Sequence, residues 1–170
     1  MVDSEGIVDK ADLEKKLNKR TLLVSVMYAN NEIGTVEPVA RIGRIIKTFR
    51  KEHRTPYPFF HTDACQAAEY LPMDVNRLGV DLLTFNGSKL YGPWGVGVLY
   101  IRRGLSLRGR VLGGEQEHGL RAGTENLPAI IGLAKAVLLV DPKAADRTTK
   151  LRDRFLKALP AIVPGAKVNG

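Results

Sequence analysis

The stretch Val80-Asp81-Leu82-Leu83-Thr84-Phe85-Asn86-Gly87-Ser88-Lys89 is a compact apolar run that stops abruptly on small polar residues. A short apolar run closed by a glycine reads as a buried strand, here residues 80–85, followed by a turn. Glycine and proline at 92–95 mark a second turn, and residues 97–101 resume as a strand. Working back toward the N-terminus, residues 59–62 form another short strand, and the Val- and Leu-rich run 22–27 a further one. Between those two, Val39, Ile42, Ile45, Ile46 and Phe49 recur at helical spacing, which predicts a helix over 39–49 against the sheet. Pro56 and Pro58 break it. Strands that alternate with helical stretches predict an α/β layer architecture.

The rest of the chain fits around this centre. Leu13 and Leu17 at i, i+4 predict a short helix over 12–17. Residues 103–126 form a long polar loop with Gly113, Gly114, Gly119 and Gly123, and a loop of that length is usually functional or misread. Residues 128–140 read as an Ala- and Leu-rich helix capped by Asn126. Residues 148–159 read as another, closed by Pro160, and residues 166–170 begin a further apolar run. No internal repeat or low-complexity segment interrupts this order.

Composition narrows the class. Of 170 residues, 44% are hydrophobic and 26% charged, ordinary values for a globular domain with a real core. No apolar run approaches the roughly 20 residues that span a bilayer. Asp3, Glu5 and Asp9 near the start leave no signal-peptide pattern, and a single cysteine builds no disulfide framework, so a cytoplasmic location is expected. The net charge of +8 raises nucleic acid as a partner. Its densest source is Arg102, Arg103, Arg108 and Arg110, which no aromatic stacking residues and no nucleic-acid motif accompany. That cluster reads as a solvated, partner-facing or phosphate-attracting surface.

Two constellations end strands. In His61-Thr62-Asp63-Ala64-Cys65-Gln66, extended backbone puts His61, Asp63 and Cys65 on one face. Three such groups without a fourth make a poor zinc site. An acidic residue at the carboxyl end of a sheet strand instead suits ligand binding in α/β proteins, and a structural role fits the pattern as well. The second constellation is Asn86-Gly87-Ser88-Lys89. A lysine there is able to react covalently with a carbonyl where the neutral amine is favoured, and its neighbours offer donors to a phosphate. Taken alone, a loop lysine is usually only solvated.

Together, Ala29-Asn30-Asn31-Glu32-Ile33-Gly34, His61-Thr62-Asp63-Ala64-Cys65-Gln66-Ala67, Gly87-Ser88-Lys89-Leu90-Tyr91-Gly92-Pro93 and Arg121-Ala122-Gly123-Thr124-Glu125-Asn126 resemble, in order, motifs of the cysteine desulfurases. These belong to the class V aminotransferase branch of fold type I enzymes that use pyridoxal 5'-phosphate (PLP). The resemblance implies a partial fold type I large domain, an α/β fold with a mostly parallel sheet and flanking helices. It implies Lys89 as the lysine that holds the cofactor and moves protons at the substrate, with Asp63 on the pyridine nitrogen and Gln66 on the phenolic oxygen. Asn31 is implied beside the cofactor and the substrate carboxylate. Asn86 and Ser88 are implied as phosphate donors, and Thr124 as a residue that reaches a partner subunit's phosphate across a homodimer. Ser88 departs from the family's usual histidine, and Cys65 replaces a usual Val, Thr or Ala, where it reads as a small packing residue.

The implied reaction converts L-cysteine to L-alanine and an enzyme persulfide, whose sulfur passes to an acceptor protein for iron–sulfur cluster assembly or tRNA thiolation. The family's sulfur-accepting cysteine and carboxylate-binding arginine belong to a small domain beyond the matched region. Its ring-stacking histidine and a Thr-containing phosphate loop lie upstream. The resemblance therefore implies residues 1–140 as the C-terminal part of the cofactor-binding domain and 141–170 as a helix and linker toward that small domain. It also implies a chain without turnover by itself. Selenocysteine lyase, another class V aminotransferase-like enzyme and an inactive PLP-binding remnant stand as alternatives.

Overall fold

The computed structural model describes residues 1–168. Four strands, β1 (Leu23–Met27), β2 (Phe59–Asp63), β3 (Leu82–Asn86) and β4 (Gly97–Ile101), form one sheet in the order β1-β2-β3-β4. The first three are parallel, and β4 returns antiparallel to β3. Helices α1 (Lys10–Lys16), α2 (Val39–His53), α3 (Val75–Leu78), α4 (Leu127–Leu138) and α5 (Pro142–Ile162) surround it. The predicted mostly parallel α/β sheet is therefore present.

Strand alternation sorts the sheet into two faces. Val24 and Val26 of β1, Phe60 of β2, Leu83 and Phe85 of β3 and Tyr100 of β4 turn toward Val39, Ile42 and Ile46 of α2 and Leu78 of α3. Phe60, Ile42, Ile46 and Val39 are at most 1% exposed, so this face carries most of the hydrophobic stabilisation. Gly43 permits the close crossing of α2 and α3, because a Cβ there would lie 2.6 Å from the Leu78 carbonyl oxygen. The opposite face carries Ser25, His61, Asp63, Thr84 and Asn86, and the exposed Leu23 and Met27.

One buried carboxylate ties the sheet together. Asp81, 1% exposed, accepts from the backbone N–H of Phe60 at 2.8 Å, pairs with Arg50 of α2 and meets Arg102 at 3.1 Å. Arg50 also donates to the Pro58 carbonyl. Arg102 thus belongs partly to a structural ion pair, which corrects its reading as a freely solvated member of the basic cluster. The same geometry explains why α2 runs four residues past its predicted end. Arg50 leaves the apolar period but has a partner, and the helix stops only at Arg54, which adopts a left-handed φ of 49°.

The C-terminal helix differs most from expectation. It starts at Pro142, six residues earlier than predicted, because Asp141 caps it by accepting from Lys143 N–H and proline suits the first turn. It also continues past Pro160 to Ile162. Proline removes one N–H and crowds one carbonyl, and in a solvent-exposed last turn that loss does not end the helix. The loop read over 103–126 contains a short 3-10 turn at Gln116–Gly119, and the short helix α3 escaped the sequence reading. The run read from 166 has no regular structure as far as Val168, and its remainder lies outside the described residues.

Candidate active site

The chemistry-bearing residues gather where β1, β2 and β3 end. Asn86 closes β3 and caps a 3-10 turn, Gly87–Leu90, that carries Lys89. Its Oδ1 accepts from Lys89 N–H at 3.2 Å and from the Ser88 hydroxyl at 2.9 Å. Tyr91 ends the turn with a left-handed φ of 56°, a conformation that strains a non-glycine residue by about 1–3 kcal/mol. Beneath it, Leu90 packs with Leu133 and Ala136 of α4. Gly87 is buried at the foot of the turn, and a Cβ would stand 2.7 Å from the Pro93 carbonyl oxygen. Packing from below and capping from the side thus fix the lysine backbone while its side chain stays exposed.

Asp63 ends β2 on the neighbouring strand, and Thr84 is its partner in the ladder. One carboxylate oxygen, Oδ1, accepts from Cys65 N–H at 2.9 Å. Asn86 Nδ2 donates to Cys65 Sγ at 3.4 Å, so Cys65 stands between Asp63 and Asn86. Burial, reinforced by the adjacent Asp63 carboxylate, pushes the Cys65 thiol up to about 11. At pH 8 roughly one molecule in a thousand then carries the thiolate, the reactive form. Alkylation of Cys65 by iodoacetamide is accordingly expected to accelerate about tenfold per pH unit until near pH 11. A plateau near pH 8.5 in a mass-spectrometric time course would contradict this.

The remaining sequence candidates occupy nearby loops. Asn31 sits exposed in the turn after β1, but Asn30 builds that turn, its Oδ1 accepting from the N–H groups of Glu32 and Ile33. Gln66 lies half-buried in the turn that follows Asp63. Thr124 is exposed in a loop held by Gln116, whose Oε1 accepts from Gly123 N–H at 3.1 Å. Hydrogen bonds thus join Asp63, Cys65, Asn86, Ser88 and Lys89, and none among the described residues joins Asn31, Gln66 or Thr124 to them.

The trio His61, Asp63 and Cys65 does not converge on one point. Cys65 lies in the turn beyond the strand, with its sulfur against Asn86. His61 turns to Ser25 Oγ at 2.7 Å and Thr84 Oγ1 at 3.1 Å, two partners that sequence reading missed. Among the described residues no group of three His, Cys, Asp or Glu side chains is arranged to hold a metal ion. A serine and a threonine at positions of apolar strands that alternate away from the packed face were the available signal.

The sequence profile of the aminotransferase class-V family matches residues 1–165, and the chain belongs to that family. Within it, the chain is similar to cysteine desulfurases. It is 45% identical over 172 aligned positions to cysteine desulfurase IscS of Dictyoglomus turgidum, a match that covers 99% of this chain and 42% of that protein. Among solved structures, a NifS-like protein superposes with a TM-score of 0.87 at 41% identity, over 95% of this chain and 44% of that one. SspA in complex with cysteine superposes with a TM-score of 0.78 at 35% identity, over 92% of this chain and 44% of that one. The chain thus spans about two fifths of the length of the curated relatives it matches.

Proposed function

We propose that this chain supplies the lysine-bearing side of the cofactor site of a PLP-dependent cysteine desulfurase. One observation carries the reading. Lys89 and Asp63 stand at the carboxyl ends of adjacent parallel strands, linked through Asn86 and Cys65 by hydrogen bonds. Ligands of open α/β sheets bind at such strand ends. The donor set also fits PLP: an amine for its aldehyde, a carboxylate for its pyridine nitrogen, and hydroxyl and amide groups for its phosphate. The similarity to SspA, solved in complex with cysteine, supports cysteine as the substrate class.

PLP, when bound, supplies an electron sink for the substrate Cα. Asp63 holds a proton on the pyridine nitrogen by its opposite charge. The Lys89 amine would hold the cofactor and would move a proton at the substrate Cα. Gln66 donates to the phenolic oxygen, Asn31 orients the substrate carboxylate, and Asn86 and Ser88 bind phosphate oxygens. For Ser88 this means that its hydroxyl would turn from Asn86 Oδ1 to the phosphate, whereas Asn86 Nδ2 has a second N–H beside the one on Cys65. Thr124 reaches the phosphate of a second subunit. The homodimer this requires has exposed apolar surface available at Tyr91, Trp94, Leu112 and Ile131, with Tyr91 and Trp94 each 86% exposed.

In the complete enzyme the reaction takes L-cysteine to L-alanine and leaves persulfide sulfur for an acceptor protein in iron–sulfur cluster assembly or tRNA thiolation. The division at residue 140 between cofactor-binding part and following helix belongs to the same reading. No helix among the described residues is long and apolar enough to cross a membrane.

Asp63→Asn tests the assignment. An amide keeps the shape but loses the charge that stabilises a protonated ring, so PLP retention is expected to fall about tenfold or more. Equilibrium titration with PLP measures it, and unchanged retention would remove Asp63 from the pyridine nitrogen.

A further inference from the structure

His61 is absorbed by no step above, yet two side-chain hydrogen bonds hold it on the open sheet face. Its ring bridges three adjacent strands. Ser25 is its ladder partner on β1 and lies 2.7 Å from Nδ1. On the other side Nε2 meets Oγ1 of Thr84 on β3 at 3.1 Å. Thr84 is itself the ladder partner of Asp63, so neighbouring strands set its side chain beside the carboxylate. In the observed geometry that hydroxyl bonds diagonally to His61, and no bond joins it to Asp63.

Burial holds His61 below the ordinary imidazole value, against the opposing pull of Asp63. Near neutral pH the ring is then uncharged, with one nitrogen donating and the other accepting. We take the tautomer in which Nδ1–H donates to Ser25, so that the Thr84 hydroxyl donates to Nε2 and spends its only proton there. Asp63 has one oxygen engaged by Cys65 N–H. Its second oxygen is left without a competing hydroxyl donor from Thr84.

We infer that His61 is a positioning residue that draws the Thr84 hydroxyl away from Asp63, keeping one carboxylate oxygen free for a cationic heteroaromatic nitrogen. The inference rests on the proposed PLP site and adds a group to it that touches neither cofactor nor substrate. Loss of His61 releases Thr84 to hydrogen-bond the carboxylate, and the incoming ring nitrogen then has to displace that bond. An interaction with a charged group of this kind is large enough to change affinity by about tenfold.

The experiment is a double-mutant cycle on PLP affinity, read by visible absorbance and Trp94 fluorescence, with His61→Phe, Thr84→Val and the pair combined. His61→Phe should weaken binding about tenfold, and Thr84→Val alone should change it little. Thr84→Val added to His61→Phe should restore affinity to near wild type, because the released hydroxyl is gone. A purely structural role predicts instead that the double variant binds as weakly as His61→Phe or worse, and that result overturns the inference. Nitrogen-15 spectra of the cofactor-free wild type give an independent check: His61 should carry its proton on Nδ1, and a proton on Nε2 overturns the inference too. Failure of the underlying site looks different. In that case wild type shows no PLP band that depends on Lys89, and both readings fall.

Discussion

Lys89→Ala is expected to lack the visible absorbance band expected of the wild-type chain with PLP, along with all cofactor that borohydride would fix to the protein. The expectation follows from how the lysine is held. Its N–H is anchored to Asn86, Leu90 next to it is buried against α4, and Tyr91 closes the turn in a left-handed conformation. The backbone is therefore set before any ligand arrives, while the side chain remains exposed. Alanine at 89 preserves the cap, the packing and the turn, so the fold is retained and only the amine is removed. Thermal unfolding within about 0.5 kcal/mol of wild type, with the band lost, is the expected combination. An unchanged spectrum would mean that some other amine holds the cofactor.

Asp81→Ala is expected to produce the largest loss of stability. The carboxylate is 1% exposed and serves the Phe60 N–H, Arg50 and Arg102 at once. Removing it strands the largely buried Arg50 guanidinium and leaves a backbone donor without its partner. Breaking one side of a buried ion pair costs about 3–5 kcal/mol. The Arg102 contact adds little, because that side chain is about half exposed and water screens it. Against a total stability of roughly 5–15 kcal/mol, such a loss leaves a small margin or none. Urea denaturation should show the midpoint falling sharply, and added salt should not reproduce the effect, because the pair is buried. A change under 1 kcal/mol would mean that Arg50 finds water or another acceptor.

Much of this fold was legible because its strands are short apolar runs closed by polar turns. β4 was read to the residue, and β1, β2 and β3 to within two, since Leu, Val and Phe alternate against a helix of clear period. What escaped depends on long-range partners. The last turn of α2 has no apolar period of its own and is tied by Arg50 to Asp81, 31 positions away. Helix α3 is a single turn, too short for periodicity to register. Helix α5 was misread at both ends: its start at Pro142 was not singled out, and Pro160 was read as closing it. One occupies a favourable first turn, and the other sits in an exposed last one.

The site was legible in part. Asp63 falls at a strand end, where pattern alone admits ligand chemistry, whereas Lys89 follows one and only the family resemblance singles it out. Their connection through Cys65 was not readable, because Cys65 as a residue type looks like packing. Only the fold brings its sulfur to Asn86 and its N–H to Asp63. His61 was visible, but as a third of a metal trio. Its actual partners, Ser25 and Thr84, come from two other strands, and their register cannot be deduced from spacing within one.

The central claim is that Lys89 holds a PLP cofactor, and the most direct measurement is to find where the cofactor becomes attached. Wild-type protein incubated with PLP, reduced with borohydride, digested and mapped by mass spectrometry should yield a phosphopyridoxyl adduct concentrated on the peptide that contains Lys89. An adduct spread over the exposed lysines, or concentrated on another one, would contradict the account.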